Sequence, residues 1–174
     1  MMRDEHAPSA AVLETVRDMS GWTGKTEAGV GRGVAFAHSF GTPVAQVIEV
    51  IDEEGSIRIN RAWISADLGT ILDPGNLEAQ LYGGMIYGLS AALFGEITFA
   101  GGEVEQDNFP DYDALRIHNA PVTEVKVMES GGHIGGAGEP GTPPSMSALT
   151  NAIFDFTGKR ARTLPLMHEF DLLT

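Results

Sequence analysis

Apolar residues recur at three- and four-residue intervals over Ala11, Val12, Thr15, Val16 and Met19, which predicts an amphipathic helix over 8–20. Ser9 is its candidate N-cap and Gly21 lies just past its end. Residues 21–33 are rich in glycine and read as a loop carrying Trp22. The period then changes to two. Val34, Phe36, His38 and Phe40 alternate with small residues, and after a Gly41-Thr42-Pro43 turn the β-branched run 44–52 follows. The acidic turn Asp52-Glu53-Glu54-Gly55 leads into a third strand over 57–66, with Ile57, Ile59 and Trp63 expected on one face. These strands predict an antiparallel meander.

Beyond Asp67-Leu68-Gly69 the pattern becomes helical. Asp73-Pro74 has the form of an N-cap with proline at the first helical position, and the helix should run to about Phe94 before Gly95. Its apolar positions Leu77, Leu81, Met85, Ile86, Leu89 and Leu93 exceed a single stripe, so burial on most sides is expected. A short hairpin flanks Gly101-Gly102, residues 108–120 read as loop, and 122–128 as a strand. A helix over 143–157 has Met146, Leu149, Ile153 and Phe156 inward and Gly158 at its end, and a short strand over 163–166 closes the chain. The sum is an α+β fold, a two-layer sandwich of a mainly antiparallel, mixed sheet with helices on one face. It forms one compact unit, in which 1–28 supply a helix and a glycine-rich loop and 29–174 the main domain.

Composition narrows the function. The 174 residues carry a net charge of −13, which disfavours nucleic acid and anionic membrane surfaces as partners. No apolar run approaches a membrane span, and the polar Met1-Met2-Arg3-Asp4-Glu5-His6 is followed by no apolar signal region, so the cytoplasm is the expected compartment. With no cysteine, this sequence supplies no thiolate to zinc or to an iron–sulfur cluster. The histidines are scattered without a ligand spacing, and no metal ligand is expected from them.

The candidate chemistry gathers around one glycine-rich stretch, Gly131-Gly132-His133-Ile134-Gly135-Gly136-Ala137-Gly138-Glu139-Pro140-Gly141-Thr142-Pro143-Pro144, whose backbone looks mobile and whose one acid is Glu139. Its Gly136, Gly138 and Gly141 formally match G-x-G-x-x-G. Pro140 removes an N–H donor, however, and Glu139 would face the phosphates, so a dinucleotide fold is rejected. Taken alone, Glu139 is either a solvated loop acid or an acid held at a site. Gln80, one turn before Gly83 and Gly84, is either a helix-surface amide or a buried one that needs partners. Each glycine inside that helix costs about 1 kcal/mol against alanine, so close packing or a bound ligand must compensate.

Several stretches, in this order and spacing, resemble one family. They are Gly31-Arg32-Gly33-Val34-Ala35 through Val44-Ala45-Gln46-Val47, Asp67-Leu68-Gly69 through Asp73-Pro74, Glu78-Ala79-Gln80-Leu81-Tyr82-Gly83-Gly84-Met85-Ile86-Tyr87-Gly88-Leu89, Gly136-Ala137-Gly138-Glu139-Pro140-Gly141-Thr142-Pro143-Pro144 and Asn151-Ala152-Ile153-Phe154. The sequence is similar to the C-terminal part of the molybdopterin-binding (large) subunit of the xanthine dehydrogenase/aldehyde oxidase family, isoquinoline 1-oxidoreductase β-subunit type. The resemblance implies a molybdopterin-binding domain and a molybdenum hydroxylase that oxidises an N-heterocycle or aldehyde with water as oxygen source. Glu139 would be the base on the molybdenum-bound hydroxide. Gln80, Gly83, Gly84 and Gly138 would meet the cofactor, molybdopterin with molybdenum, and whether it carries a cytosine dinucleotide is left open. Electrons would leave through a separate [2Fe–2S] subunit.

The family's subunit is several times longer, and the segments that hold most of the pterin lie upstream of this stretch. The expected partner is therefore the upstream part of the molybdenum subunit, and the isolated chain is expected to bind no cofactor by itself. It would be half of a split subunit, a fragment or a truncated gene product. The alternative function is a non-catalytic assembly module that self-associates as a homodimer through faces meant for the missing part.

Overall fold

The computed structural model describes residues 7–24 and 26–173. Three long strands, β1 (Val30–Ser39), β2 (Thr42–Glu53) and β3 (Ser56–Asp67), form the expected meander. Their turns are two-residue connections, Phe40-Gly41 and Glu54-Gly55, in which all four residues have positive φ, the geometry that matches the twist of a tight hairpin. The strands start earlier than the sequence pattern suggests. Gly31 and Gly33 belong to β1 because helix α3 (Pro143–Thr157) lies directly on them: a Cβ at Gly33 would come within 2.2 Å of the Ala148 carbonyl oxygen. Asp155 and Asn151 of α3 also hydrogen-bond the Arg32 N–H and the Val34 carbonyl, so the helix occupies that strand's free edge.

Helix α1 (Ala7–Ser20) buries Val12 and Val16, as the period predicts, but Ser9 lies inside the helix and is not its cap. The expectation of helices on one face holds for α2 (Pro74–Leu93) and α3, whereas α1 covers the other face of the sheet. The reason is visible in β2, whose residues 42–50 are buried on both sides. Val44, Ile48 and Val50 pack with Leu81, Met85, Leu149 and Ile153, while Ala45 and Val47 pack with Trp63 and α1.

The grouping of Ile57 and Ile59 with Trp63 is also corrected. Both isoleucines join the α2/α3 side, and Trp63 faces α1. The register shift opposite Glu49/Val50 leaves Asn60 as an extra residue in β3, and one inserted residue reverses the alternation downstream of it.

Strand β6 (Val122–Met128) pairs parallel with β3, which makes the sheet mixed, in the order β1-β2-β3-β6. Helix α2 and the small hairpin of β4 (Phe99–Ala100) and β5 (Glu103–Val104) lie in the crossover between them. Parallel pairing brings the ends of β3 and β6 together, and Asp67 joins their exits: its carboxylate accepts from the N–H groups of Gly69 and Ser130 and from the Ser130 hydroxyl. The strand expected over 163–166 is absent. The N–H groups of Arg162 and Thr163 donate to the Glu169 carboxylate and Pro165 has none, so no ladder forms; Leu166 is buried in a 3-10 turn instead.

Candidate functional site

Helix α2 begins as its sequence dictates, with the Asp73 carboxylate accepting from the Asn76 N–H and Pro74 in the first turn. Leu81, Met85, Leu89, Ala92 and Leu93 are buried. Gln80, Gly83, Gly84 and Tyr87 recur at three- and four-residue spacing and so share another face. On that face Gln80, Gly83 and Tyr87 are exposed, so burial on most sides does not hold and Gln80 is the helix-surface amide of the two alternatives.

The glycine-rich stretch is tied down at several points. The N–H groups of Gly131, Gly135 and Gly136 donate to the carbonyls of Gly69, Leu68 and Phe40, at 2.8 to 3.0 Å. The Thr42 hydroxyl donates to the Gly136 carbonyl at 2.7 Å, and Gln46 Nε2 donates to the Gly141 carbonyl at 2.6 Å. Close approach explains Gly135 and Gly136 better than unusual φ does, since a Cβ at Gly135 would come within 2.1 Å of the Thr42 hydroxyl, whereas Gly131 has open space around it and a positive φ. Beyond Gly136, the Thr142 N–H donates to the Glu139 carbonyl at 2.9 Å and closes a turn that presents the Glu139 side chain to solvent.

The two segments meet. Gln80, Gly83, Gly84, Gly138 and Glu139 all line one cavity of about 430 Å³, together with Tyr87, Thr142 and Pro143. Tyr87, Thr142 and Pro143 are the residues that sequence reasoning missed there. Tyr87 could have been found from its i+7 relation to Gln80, and Thr142 from its place at the N-cap of α3.

The glycines divide by what surrounds them. A Cβ at Gly88 would meet the Ser145 hydroxyl at 2.2 Å, and one at Gly141 would meet the Leu81 carbonyl at 2.5 Å, so these serve packing of α2 on the loop and α3. Gly84 is intermediate, with the Thr142 hydroxyl at 3.3 Å from such a Cβ. At Gly83 and Gly138 the added Cβ meets nothing within 4 Å, and neither has positive φ. Protein packing therefore accounts for Gly84 and Gly88 but not for Gly83 or Gly138.

Glu139 is the one ionisable carboxylate of the lining, and no lining side chain is cationic. The glycine walls suit the flat edge of a pterin, and Gln80 offers an amide to its ring donors and acceptors. A phosphate would need cations from elsewhere. Among the described residues, no group of three or more His, Asp or Glu side chains could hold a metal ion, and no helix is long and apolar enough to cross a membrane.

Known proteins bear on this geometry. Residues 10–121 match the molybdopterin cofactor-binding domain family, a range that includes Gln80, Gly83 and Gly84 and stops short of Gly138 and Glu139. The chain is 33% identical over 162 residues to the β-subunit of isoquinoline 1-oxidoreductase from Brevundimonas diminuta, covering 90% of this chain and 21% of that one. It is 36% identical over 117 residues to the molybdenum-binding subunit of xanthine dehydrogenase from Escherichia coli, covering 63% and 16%. Among solved structures, quinoline 2-oxidoreductase from Pseudomonas putida 86 shares the fold, with a TM-score of 0.61 and 21% identity over 72% of this chain and 17% of that one. The aldehyde oxidoreductase of Desulfovibrio desulfuricans matches with a TM-score of 0.59 and 25% identity over 71% and 14%. The chain thus spans about a fifth or less of the length of these relatives. Its sequence match and its fold agree: the chain belongs to the molybdopterin cofactor-binding domain family, and corresponds to part of the large subunit of xanthine dehydrogenase/aldehyde oxidase-type enzymes of the isoquinoline 1-oxidoreductase β-subunit type.

Proposed function

We propose that this chain forms one wall of a molybdenum hydroxylase site that oxidises an N-heterocycle or an aldehyde with water as oxygen source. The observation that carries the reading is the convergence of Gln80, Gly83 and Gly84 of α2 with Gly138 and Glu139 of the glycine-rich loop on a single cavity. When bound, the molybdenum cofactor supplies the redox chemistry. Glu139 is the general base: its carboxylate accepts the proton of the attacking oxygen, and the turn that exposes it lets it come within hydrogen-bond reach of that atom. Gln80 hydrogen-bonds the pterin edge and fixes its orientation, while Gly83 and Gly138 leave the space it fills. Residues 29–174 are the unit that does this, with helix α1 covering the other face of its sheet.

The cavity is open and carries no cation, which supports completion by a partner, the upstream part of the same kind of subunit. That part would bring the groups for the cofactor's phosphate. Exposed Tyr82, Tyr87, Phe99, Phe109 and Ile117 are the apolar contribution of this chain to such a contact. A separate [2Fe–2S] subunit is the proposed electron acceptor.

The test is co-expression with the upstream part, followed by metal analysis and dye-linked oxidation of aldehydes and N-heterocycles. Near-stoichiometric molybdenum in the purified complex is expected, with Glu139→Gln retaining the metal and losing turnover. Wild-type turnover in that variant would end the assignment of Glu139 as base. A complex without molybdenum would favour the non-catalytic assembly module.

A further inference from the structure

Along the α2/α3 face of β2 the sequence runs Val44, Gln46, Ile48, and Gln46 is as fully buried as its apolar neighbours. Its Nε2 donates to the Gly141 carbonyl at 2.6 Å, and its Oε1 has no hydrogen-bond partner among the described residues. A buried amide with an unanswered acceptor is a poorer core residue than a methionine of similar shape. What the amide adds is a bond to a carbonyl two residues past Glu139. Gly141 is also where the loop touches α2, since a Cβ there would come within 2.5 Å of the carbonyl of Leu81, the residue after Gln80.

We infer that Gln46 is a positioning residue: its amide pulls Gly141 onto the sheet and so fixes the Glu139 turn against the Gln80 segment of α2. Its importance for catalysis rests on the proposed role of Glu139, while the clamp itself does not. The Thr142 N–H, which closes that turn on the Glu139 carbonyl, is the reporter.

Hydrogen exchange followed by NMR on the full chain tests the clamp. In Gln46→Met the Thr142 amide should exchange about tenfold faster, the worth of one hydrogen bond, with the Gly136 amide and the β2–β3 amides unchanged. Unchanged protection of Thr142 overturns the inference, and so does a loss spread evenly over the sheet or a variant that does not fold, because the amide then serves the whole core. Gln46→Glu supplies a second readout. The introduced carboxyl can donate to the Gly141 carbonyl only when protonated, so Thr142 protection, corrected for intrinsic exchange, should rise as the pH falls. A pH-independent Thr142 in that variant also counts against the clamp. Failure of the Glu139→Gln test would remove the base assignment and leave these exchange results untouched.

Discussion

The hydroxyl of Thr142 donates to the main-chain carbonyl of Gly84 at 2.9 Å, a bond that joins the residue just before α3 to the middle of α2. It ties together the two segments that line the candidate cavity. Thr142→Val keeps the shape and removes the donor. The expected loss is about 1 kcal/mol, a fall in Tm of roughly 2–4 °C for a chain of this length, checked by thermal unfolding. In the reconstituted complex the same variant should release molybdenum more readily.

The glycines of α2 should separate by substitution. Gly83→Ala meets no neighbour and gains helix propensity, so the isolated chain should become more stable by up to about 1 kcal/mol. Gly88→Ala drives a methyl into the Ser145 hydroxyl and the Thr142 carbonyl and should cost about 1–3 kcal/mol. Urea unfolding of both variants measures this. If Gly83 faces a cofactor, its alanine variant should be more stable alone and poorer in molybdenum when reconstituted, a combination that packing alone would not give.

On the α1 face, the Arg32 guanidinium pairs with Glu49 at 2.6 Å, and Asn60 of the bulge donates to the same carboxylate at 2.7 Å. Arg32 and Arg61 both lie about 5 Å from the Trp63 ring centroid. Glu49 is almost completely buried, so Glu49→Ala leaves a guanidinium and an amide without their acceptor. Arg32 keeps the Ser20 carbonyl and some solvent, which places the expected cost near the lower end for a broken buried pair, on the order of 2–3 kcal/mol. Denaturant unfolding followed by Trp fluorescence reads it directly.

Glu169 gives the fold a dependence on acid. The Thr163 hydroxyl is the main group holding its carboxyl below the ordinary glutamate value of 4.5; desolvation opposes it, and the N–H groups of Arg162 and Thr163, with Lys159 nearby, add to the lowering. A folded-state pKa below the unfolded one means that the contribution is present above about pH 4.5 and is lost as the pH falls through the lowered value. Melting curves from pH 6 downward should therefore show a component in the wild type that Glu169→Gln lacks. Parallel slopes for the two proteins would refute it.

Much of this architecture could be read from local signals. Asp73-Pro74 and Gly158 mark helix ends because capping chemistry is local, and the glycines after Phe40 and Glu54 mark hairpins for the same reason. The bulge at Asn60 carries no such mark, since it arises from pairing across β2, and it reversed the expected partners of Trp63. The tail departs from its strand pattern because the donors of Arg162 and Thr163 are taken by a side chain six or seven residues away, which strand propensity does not register. At the site, Glu139 and Gln80 stood out through the glycines around them. Gln46 did not, because one polar residue in a strand resembles an ordinary outward position until α2 and α3 are seen to cover it.

The parallel pairing of β3 with β6 has a consequence for the order of folding. The β1–β3 meander closes through two-residue turns, whereas β6 can dock only after residues 68–121 have been looped out and returned, a closure of higher entropic cost. The Glu139 turn follows β6 and bonds both to β2, through Gln46, and to α2 within that crossover, through Gly84, so it should be the last segment to acquire its structure. In pulse-labelling during refolding, amides of β2 and β3 are expected to become protected before that of Thr142, making the candidate base the latest-arriving residue of its own site.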